Sequence, residues 1–209
     1  MGPPHFYEKW FQKMNLTHLT LKLDPEFMSV FNPLLGGGFT VCAPSGISIK
    51  AYMCSYLGID SDYFENRIQT LFLDGSPVDD PESAFLKAGS VLALSGAMPG
   101  LAGATLRRGG FYGRLRGEIS YDQQGACETT GECLIRVKLF NLLVKELGPL
   151  FLEKGIHLDS DAVSERLKIQ RLKLADGCRA AELDGKPIEP ERLIEMELPP
   201  GEVYLKVTP

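Results

Sequence analysis

The sequence predicts an α+β protein, and three observations support this fold class. Residues 18–23 alternate apolar and polar side chains with the two-residue period of a strand. Residues 45–57 carry apolar side chains at the spacing of an amphipathic helix. An Asp-Gly pair, which favours a tight turn between two strands, occurs at residues 74–75 and again at 184–185. Strands and helices are therefore both expected, linked by short turns.

The composition is that of an ordinary globular protein. The chain has 209 residues, of which 44% are hydrophobic and 23% charged, and its formal net charge is −5. These values allow a buried core and exclude a globally disordered chain. We expect three parts: an N-terminal aromatic segment at residues 1–15, a first domain at 16–110 and an α+β domain at 111–209.

The first domain is predicted to contain four strands and one helix. The helix covers residues 45–57, with Ser45 as its N-cap and Gly58 at its C-terminal end. The strands are expected at residues 18–23, 39–42, 67–73 and 90–94. The resulting order is strand, strand, helix, strand, strand.

This order, with the residues that fill it, resembles the β-grasp fold of ubiquitin and of the small sulfur carriers used in molybdopterin and thiamine synthesis. The resemblance is carried by the helix at 45–57, the turn at 74–80, the segment 86–94 and the Leu-Arg-Arg-Gly-Gly sequence at 106–110. In those families the terminal Gly-Gly is adenylated or converted to a thiocarboxylate, which requires a free carboxylate. Here 99 residues follow Gly110, so the resemblance implies carrier chemistry only after cleavage at that point.

The second half gives strand and helix signals in turn. Residues 111–121 alternate as a strand, and residues 134–140 fit either a strand or the start of an apolar helix that runs to 147. We favour a strand followed by a helix that is broken at Gly148 and Pro149. A short helix is expected to open at Asp159, and residues 167–174 are expected to return as a strand.

The two Asp-Gly segments suggest an internal repeat. Each is followed by a glycine-led apolar strand, at residues 89–94 in the first half and 201–207 in the second, with spacings of 14 and 16 residues between the glycines. Two interpretations stay open: a diverged duplication of one unit, or two independent uses of a common turn.

One segment carries a local positive charge in this acidic chain. Four arginines and no acids lie between residues 104 and 117, and glycines among them leave backbone amides accessible. Arginine binds carboxylates and phosphates through two parallel hydrogen bonds, so an anion site or an acidic-partner site is predicted. Its candidate residues are Arg107, Arg108, Gly109, Gly110, Arg114 and Arg116. The alternative is that these arginines are solvated, or paired with the seven acids of residues 60–82.

No catalytic residue, metal site or cofactor is predicted. The sequence lacks Gly-Lys-Ser and Gly-Lys-Thr, Gly-x-Ser-x-Gly and His-Glu-x-x-His, and its five cysteines include no Cys-x-x-Cys pair. Whether Cys127 and Cys133 form a disulfide or hold a metal is left open. The paired acids at 79–80 and at 159 and 161 are interpreted as turn and helix caps.

The leading hypothesis is a non-catalytic cytoplasmic binding or assembly protein. Residues 1–15 do not have the pattern of a secretory signal, and prolines and glycines interrupt the two long uncharged stretches, so no membrane partner is expected. The expected partner is a protein or a small anionic ligand; the negative net charge disfavours nucleic acid. The aromatic segment is expected to dock on the body or on a second copy. The alternatives are a carrier cleaved after Gly110 and a small enzyme that binds a phosphorylated or carboxylated substrate.

Overall fold

The computed structural model describes residues 16–112, 116, 121 and 131–209, and this part of the chain is a mixed α+β structure. Its strands are β1 (Leu16–Leu23), β2 (Phe39–Pro44), β3 (Thr70–Leu73), β4 (Ser76–Pro77), β5 (Val91–Ser95), β6 (Glu132–Phe140), β7 (Ile156–Asp159), β8 (Cys178–Leu183), β9 (Lys186–Ile188) and β10 (Glu202–Thr208). Its α-helices are α1 (Asn32–Gly37), α2 (Ser61–Arg67), α3 (Gly100–Leu106), α4 (Leu143–Lys154), α5 (Ser160–Ile169), α6 (Arg171–Gly177) and α7 (Pro190–Glu195). A 3-10 helix covers Pro25–Phe31, and a π-helix covers Ala51–Tyr56.

The chain divides into two compact units whose bounds differ from the expected domains. One unit contains the described residues up to 34 together with 148–209, and the other, here called the central unit, contains residues 35–147. The expected division was 16–110 and 111–209. It differs because two strands, β1 and β6, pair with strands from the opposite half of the sequence. Alternating hydrophobicity indicates which face of a strand is buried, but it does not indicate the neighbouring strand.

The central unit contains the strands β4-β3-β5-β6-β2 in that order. Strands β5 and β6 are parallel, whereas the pairs β2–β6, β3–β5 and β3–β4 are antiparallel. The strands predicted at 39–42 and 90–94 are thus confirmed as β2 and β5. The strand predicted at 67–73 is confirmed as β3 only from Thr70, because Arg67 ends helix α2. One face of these strands is fully covered, with Leu92, Leu94, Ile135, Val137 and Leu139 all inaccessible to solvent.

The second unit contains the strands β7-β10-β1-β8-β9. The strand predicted at 18–23 is confirmed as β1. It runs parallel to β10, with Leu16 opposite Glu202 and Lys22 opposite Thr208, and antiparallel to β8. Residues Leu19 and Leu21 are completely buried there.

Both Asp-Gly pairs form the two-residue hairpin turns that were predicted. Leu73 pairs with Ser76 and Leu183 pairs with Lys186, so each turn consists of the Asp-Gly pair alone. Asp74 and Asp184 have φ values of 51° and 50°, followed by glycines that also have positive φ. The strands that follow the two hairpins have different neighbours. β5 follows the first hairpin and pairs directly with β3, whereas β10 follows the second hairpin and is separated from β8 by β1. A duplication of one unit therefore stays a prediction, supported by the matching hairpins alone.

The predicted helix at 45–57 forms later in the chain than expected. Ser45 is in a turn and is not the N-cap; the Ser48 hydroxyl instead accepts a hydrogen bond from the Ala51 amide at 3.2 Å. The helix is of the π type, because the Leu57 amide donates to the carbonyl of Tyr52 five residues earlier. Its end at Gly58, with φ 78°, is as predicted.

Two predictions for the second half are wrong and two are confirmed. Residues 167–174 lie mostly in α5 and α6 rather than in a strand. The buried Leu167 and Leu174 are seven residues apart, which is the spacing of one helix face and would place them on opposite faces of a strand. Residues 148 and 149 lie within α4 and do not end it. The strand-then-helix interpretation of 134–147 is confirmed by β6 and α4. Asp159 caps α5 by accepting the amides of Asp161 and Ala162.

The strand predicted at 111–121 is not observed where it can be checked. Its described members, Phe111, Tyr112, Arg116 and Tyr121, lie outside strands. Within the described part of the chain, the helices are too short or too polar to cross a membrane.

Candidate functional site

A polar cavity of about 440 Å³ opens in the central unit. This volume suits a small ligand or the end of a peptide. Three of its residues, Arg107, Arg108 and Gly109, belong to the segment singled out in the sequence. Among the described residues, the lining is Glu65, Asn66, Gln69, Asp79, Pro81, Arg107, Arg108 and Gly109. We call this the arginine cavity.

Helix α2 provides one wall of the arginine cavity, and Glu146 holds this helix in place. Asp60 caps α2, its carboxylate accepting the Tyr63 amide at 2.9 Å. Glu146 accepts hydrogen bonds from the Tyr63 hydroxyl at 2.7 Å and from Nε of Arg67 at 2.8 Å. These bonds lower the pKa of Glu146 to about 2. The wall is therefore fixed by a carboxylate that remains ionised under ordinary conditions.

Arg108 is anchored on the same helix. Its Nη2 atom donates to the Glu65 carboxylate at 2.8 Å and to the carbonyls of Phe64 and Glu65, both at 3.3 Å. The guanidinium carbon lies 4.8 Å from the centre of the Phe64 ring, a cation-π distance. Only 8% of the Arg108 side chain is exposed. Its position is thus set by α2 on several sides.

Asp79 joins Arg116 to the Arg107–Gly109 loop. Its Oδ1 atom accepts a hydrogen bond from Nη2 of Arg116 at 2.5 Å and another from the Gly109 amide at 3.3 Å. The Arg116 side chain is only 3% exposed. The Asp79 carboxylate therefore neutralises a buried guanidinium and holds the loop against β4 and the segment that follows it.

The six predicted site residues have different roles in this geometry. Arg107, Arg108 and Gly109 line the cavity, and Arg116 lies behind Asp79 without lining it. Gly110 does not line it either; its amide donates to the Arg107 carbonyl at 3.1 Å. Arg114 lies outside the described residues. Arg108 and Arg116 follow the alternative interpretation, in which arginines of this segment pair with acids of residues 60–82.

The charges of the site leave a positive excess. Three arginines, at positions 107, 108 and 116, face the two carboxylates of Glu65 and Asp79. Arg107 is exposed and forms no ion pair with any residue that the structure describes. Among these three arginines, Arg107 is therefore the one whose guanidinium is available to an incoming anion.

Two polar atoms at the cavity are buried without a hydrogen-bond partner among the described residues. They are Oε1 of Gln69, an acceptor, and Nη1 of Arg108, a donor. Most buried polar groups in proteins are paired, so each such atom requires an explanation. Both belong to residues that line the same cavity.

Three of the described thiols are unreactive, and the described residues offer no metal-binding cluster. Burial raises the pKa of Cys42 to about 12 and also raises the pKa of Cys54 and Cys178, so these thiols stay protonated at neutral pH. No group of three His, Cys, Asp or Glu side chains within the described ranges could hold a metal ion. Cys133 forms no disulfide with a described residue, and Cys127 lies outside those ranges. The arrangement at the arginine cavity is suited to binding.

The sequence analysis missed the half of the cavity that α2 supplies. Residues 60–82 were treated as an acidic stretch, and α2 itself was not predicted. The signal was present: Asp60 is a strong N-cap residue, and Phe64 and Ile68 are four residues apart and buried. Asp79 was interpreted as a turn cap, which fits Asp80, whose carboxylate accepts the Glu82 amide at 2.9 Å.

Comparison of this chain with protein-family models, with curated proteins and with solved structures found no match.

Proposed function

We propose that the protein is a non-catalytic cytoplasmic binding or assembly protein whose arginine cavity receives an anionic ligand or an acidic group of a protein partner. The observation that carries this proposal is the cavity itself. It is lined by an exposed arginine with no ion pair among the described residues, and its remaining charges are already matched.

The charge balance argues for binding of an anion. Glu65 and Asp79 are occupied by Arg108 and Arg116, so neither carboxylate presents a free negative charge to a ligand. Arg107 remains to form a charge-assisted hydrogen bond, and the rigid position of Arg108 adds a second guanidinium nearby. A site whose groups are held in place before binding loses little entropy when the ligand enters.

A β-grasp-like fold remains our proposal for the central unit. Its support is the chain order β2, helical segment, β3, β5, which matches the last four elements of the expected arrangement. The parallel neighbour of β5 is β6, which comes later in the chain than the four expected strands. A distant evolutionary relation between the two units is proposed on the narrower ground of their matching Asp-Gly hairpins.

The carrier alternative requires cleavage after Gly110. One observation favours accessibility of that position: the next residue, Phe111, is 84% exposed. Intact-mass analysis of protein from its native host decides this alternative. A fragment ending at Gly110 supports a carrier, whereas full-length protein alone removes the support for it.

Isothermal titration calorimetry of the full chain with inorganic phosphate and with acetate tests anion binding. We expect saturable binding that Arg107→Gln weakens at least about tenfold, since one charge-assisted hydrogen bond contributes roughly 1.5–3 kcal/mol. Lys87→Gln is the matched control, because Lys87 is exposed in the same unit and does not line the cavity. Absence of binding to wild type, or equal loss in both variants, would contradict the proposal.

A further inference from the structure

Two aromatic residues follow directly after the segment that lines the arginine cavity. Phe111 is 84% exposed to solvent and Tyr112 is 46% exposed. Their rings meet edge to face, with centroids 5.3 Å apart and an interplanar angle of 89°. Single exposed apolar residues are ordinary, but exposed aromatic rings together with an exposed arginine are the composition of a protein-binding surface.

A tight turn places these rings beside Arg107. The Gly110 amide donates to the Arg107 carbonyl at 3.1 Å, and Gly109 between them has a φ of 63°. A Cβ atom built on Gly110 would lie 3.4 Å from Cβ of Arg107. The ends of such a turn are less than about 7 Å apart, so Cα of Phe111 lies within about 11 Å of Cα of Arg107. One ligand can therefore contact both side chains.

The turn is held in place by contacts within the central unit. The Arg108 amide donates to the Gln69 carbonyl at 2.8 Å, and the Gly109 amide donates to the Asp79 carboxylate at 3.3 Å. These bonds fix the two middle residues of the turn, while the side chains on either side of it remain exposed. A ligand that binds there meets a loop whose backbone needs little further ordering.

We infer that this loop recognises a segment of a protein partner in which an acidic side chain lies next to an aromatic or large aliphatic one. The carboxylate accepts hydrogen bonds from Arg107, which forms no ion pair with any residue that the structure describes. The apolar side chain packs on the ring of Phe111, with Tyr112 at its edge. This inference rests on the proposed function and goes further, because it selects a protein partner and names its chemistry.

A single-stranded nucleic acid also combines rings with negative charge. The charges around the loop disfavour it. The carboxylates of Glu65 and Asp79 line the cavity, and the side chains of Asp80 and Glu82 are exposed in the adjoining segment. A row of phosphates would be repelled by these acids, whereas a single carboxylate can approach Arg107 alone.

Calorimetric titration of the full chain with three acetylated and amidated pentapeptides tests the inference. Phe-Gly-Asp-Gly-Phe carries both groups in either chain direction, Gly-Gly-Asp-Gly-Gly carries the carboxylate alone, and Phe-Gly-Asn-Gly-Phe carries the rings alone. We expect the first peptide to bind at least about tenfold more tightly than either of the others, because one buried ring and one charge-assisted hydrogen bond each allow such a difference. A short oligothymidylate in physiological salt should bind more weakly than the first peptide.

Phe111→Ser supplies the matched variant, since the exposed ring can be removed without disturbing the core. This variant should bind Phe-Gly-Asp-Gly-Phe and Gly-Gly-Asp-Gly-Gly equally. The control is Leu172→Ser, at a leucine that is 73% exposed in the other unit, and it should keep the wild-type preference.

Equal binding of those two peptides to wild type, or of the Asp and Asn peptides, would overturn the inference. Tighter binding of the oligothymidylate would overturn it in favour of a nucleic acid. Each of these results, obtained while phosphate still binds, leaves the proposed anion site standing. Failure of every anion to bind, phosphate included, would overturn both.

Discussion

Asp79 and Arg116 form an ion pair in which the carboxylate is half-exposed and the guanidinium side chain is almost completely buried. The same carboxylate oxygen accepts the Gly109 amide. A buried guanidinium is unfavourable without an opposite charge. Asp79 therefore stabilises the fold and also sets the position of the loop that carries Arg107.

Replacing Asp79 with Asn should lower the free energy of unfolding by about 1–3 kcal/mol, because it removes a carboxylate from a buried charge. Urea denaturation followed by circular dichroism measures this loss. Glu82→Gln is the control, since Glu82 pairs with Lys50 at an exposed position and such pairs contribute about 0–1 kcal/mol. Equal losses of unfolding free energy in the two variants would show that the Asp79–Arg116 pair contributes no more than an exposed ion pair.

Glu146 should make stability depend on acid pH. Its folded pKa, about 2, lies below the ordinary value of 4.5, so its contribution is complete above about pH 4.5 and is lost as the pH falls toward 2. We expect Glu146→Gln to remove up to about 1 kcal/mol at pH 7 and nothing near pH 2. Denaturation curves at both pH values check this, with Glu153→Gln on the same helix as control. A deficit that persists unchanged at pH 2 would contradict it.

His157 should make stability depend on pH at a higher pH than Glu146 does. Burial lowers its pKa to about 4, against 6.5 in an unfolded chain. Above pH 6.5 His157 is neutral in both the folded and the unfolded chain, so it does not lower the free energy of unfolding. Between pH 6.5 and 4 the unfolded chain takes up a proton that the folded chain does not, and this favours unfolding. Stability should thus fall by about 1–2 kcal/mol from pH 7 to pH 5 through this residue.

The variant His157→Gln should flatten the pH dependence in that interval, and His18→Gln should not. Both histidine rings contact Tyr204, but His18 is exposed and His157 is buried. Chemical denaturation of wild type and of the two variants at pH 7, 6 and 5 gives the slope of unfolding free energy against pH for each protein. A His157→Gln slope equal to that of wild type would assign the acid sensitivity to other groups.

Local features of the fold could be predicted from the sequence, and long-range pairing could not. The turns at Asp74 and Asp184 follow from two adjacent residues that tolerate positive φ. The pairing of β1 with β10 joins residues about as far apart as the chain allows. Many registers and partners satisfy the same alternation of apolar residues, so the pattern of β1 alone does not select β10.

Only the part of the candidate site that is continuous in the sequence was predicted. Arg107, Arg108 and Gly109 stand out because basic and glycine residues gather there without acids. Gln69 has no such signal, since a single amide in a mixed sequence predicts nothing. Its place beside Arg108 in the cavity lining follows from the three-dimensional structure, in which the Arg108 amide donates to the Gln69 carbonyl at 2.8 Å.

The central claim is that an anion binds at the arginine cavity, and amide NMR spectra of the ¹⁵N-labelled full chain during phosphate titration test it most directly. Saturable shifts at Gln69, Arg108 and Gly109, lost in Arg107→Gln and kept in Lys87→Gln, are the predicted result. Shifts confined to other surfaces, or no saturable shift at those three amides, would contradict the account.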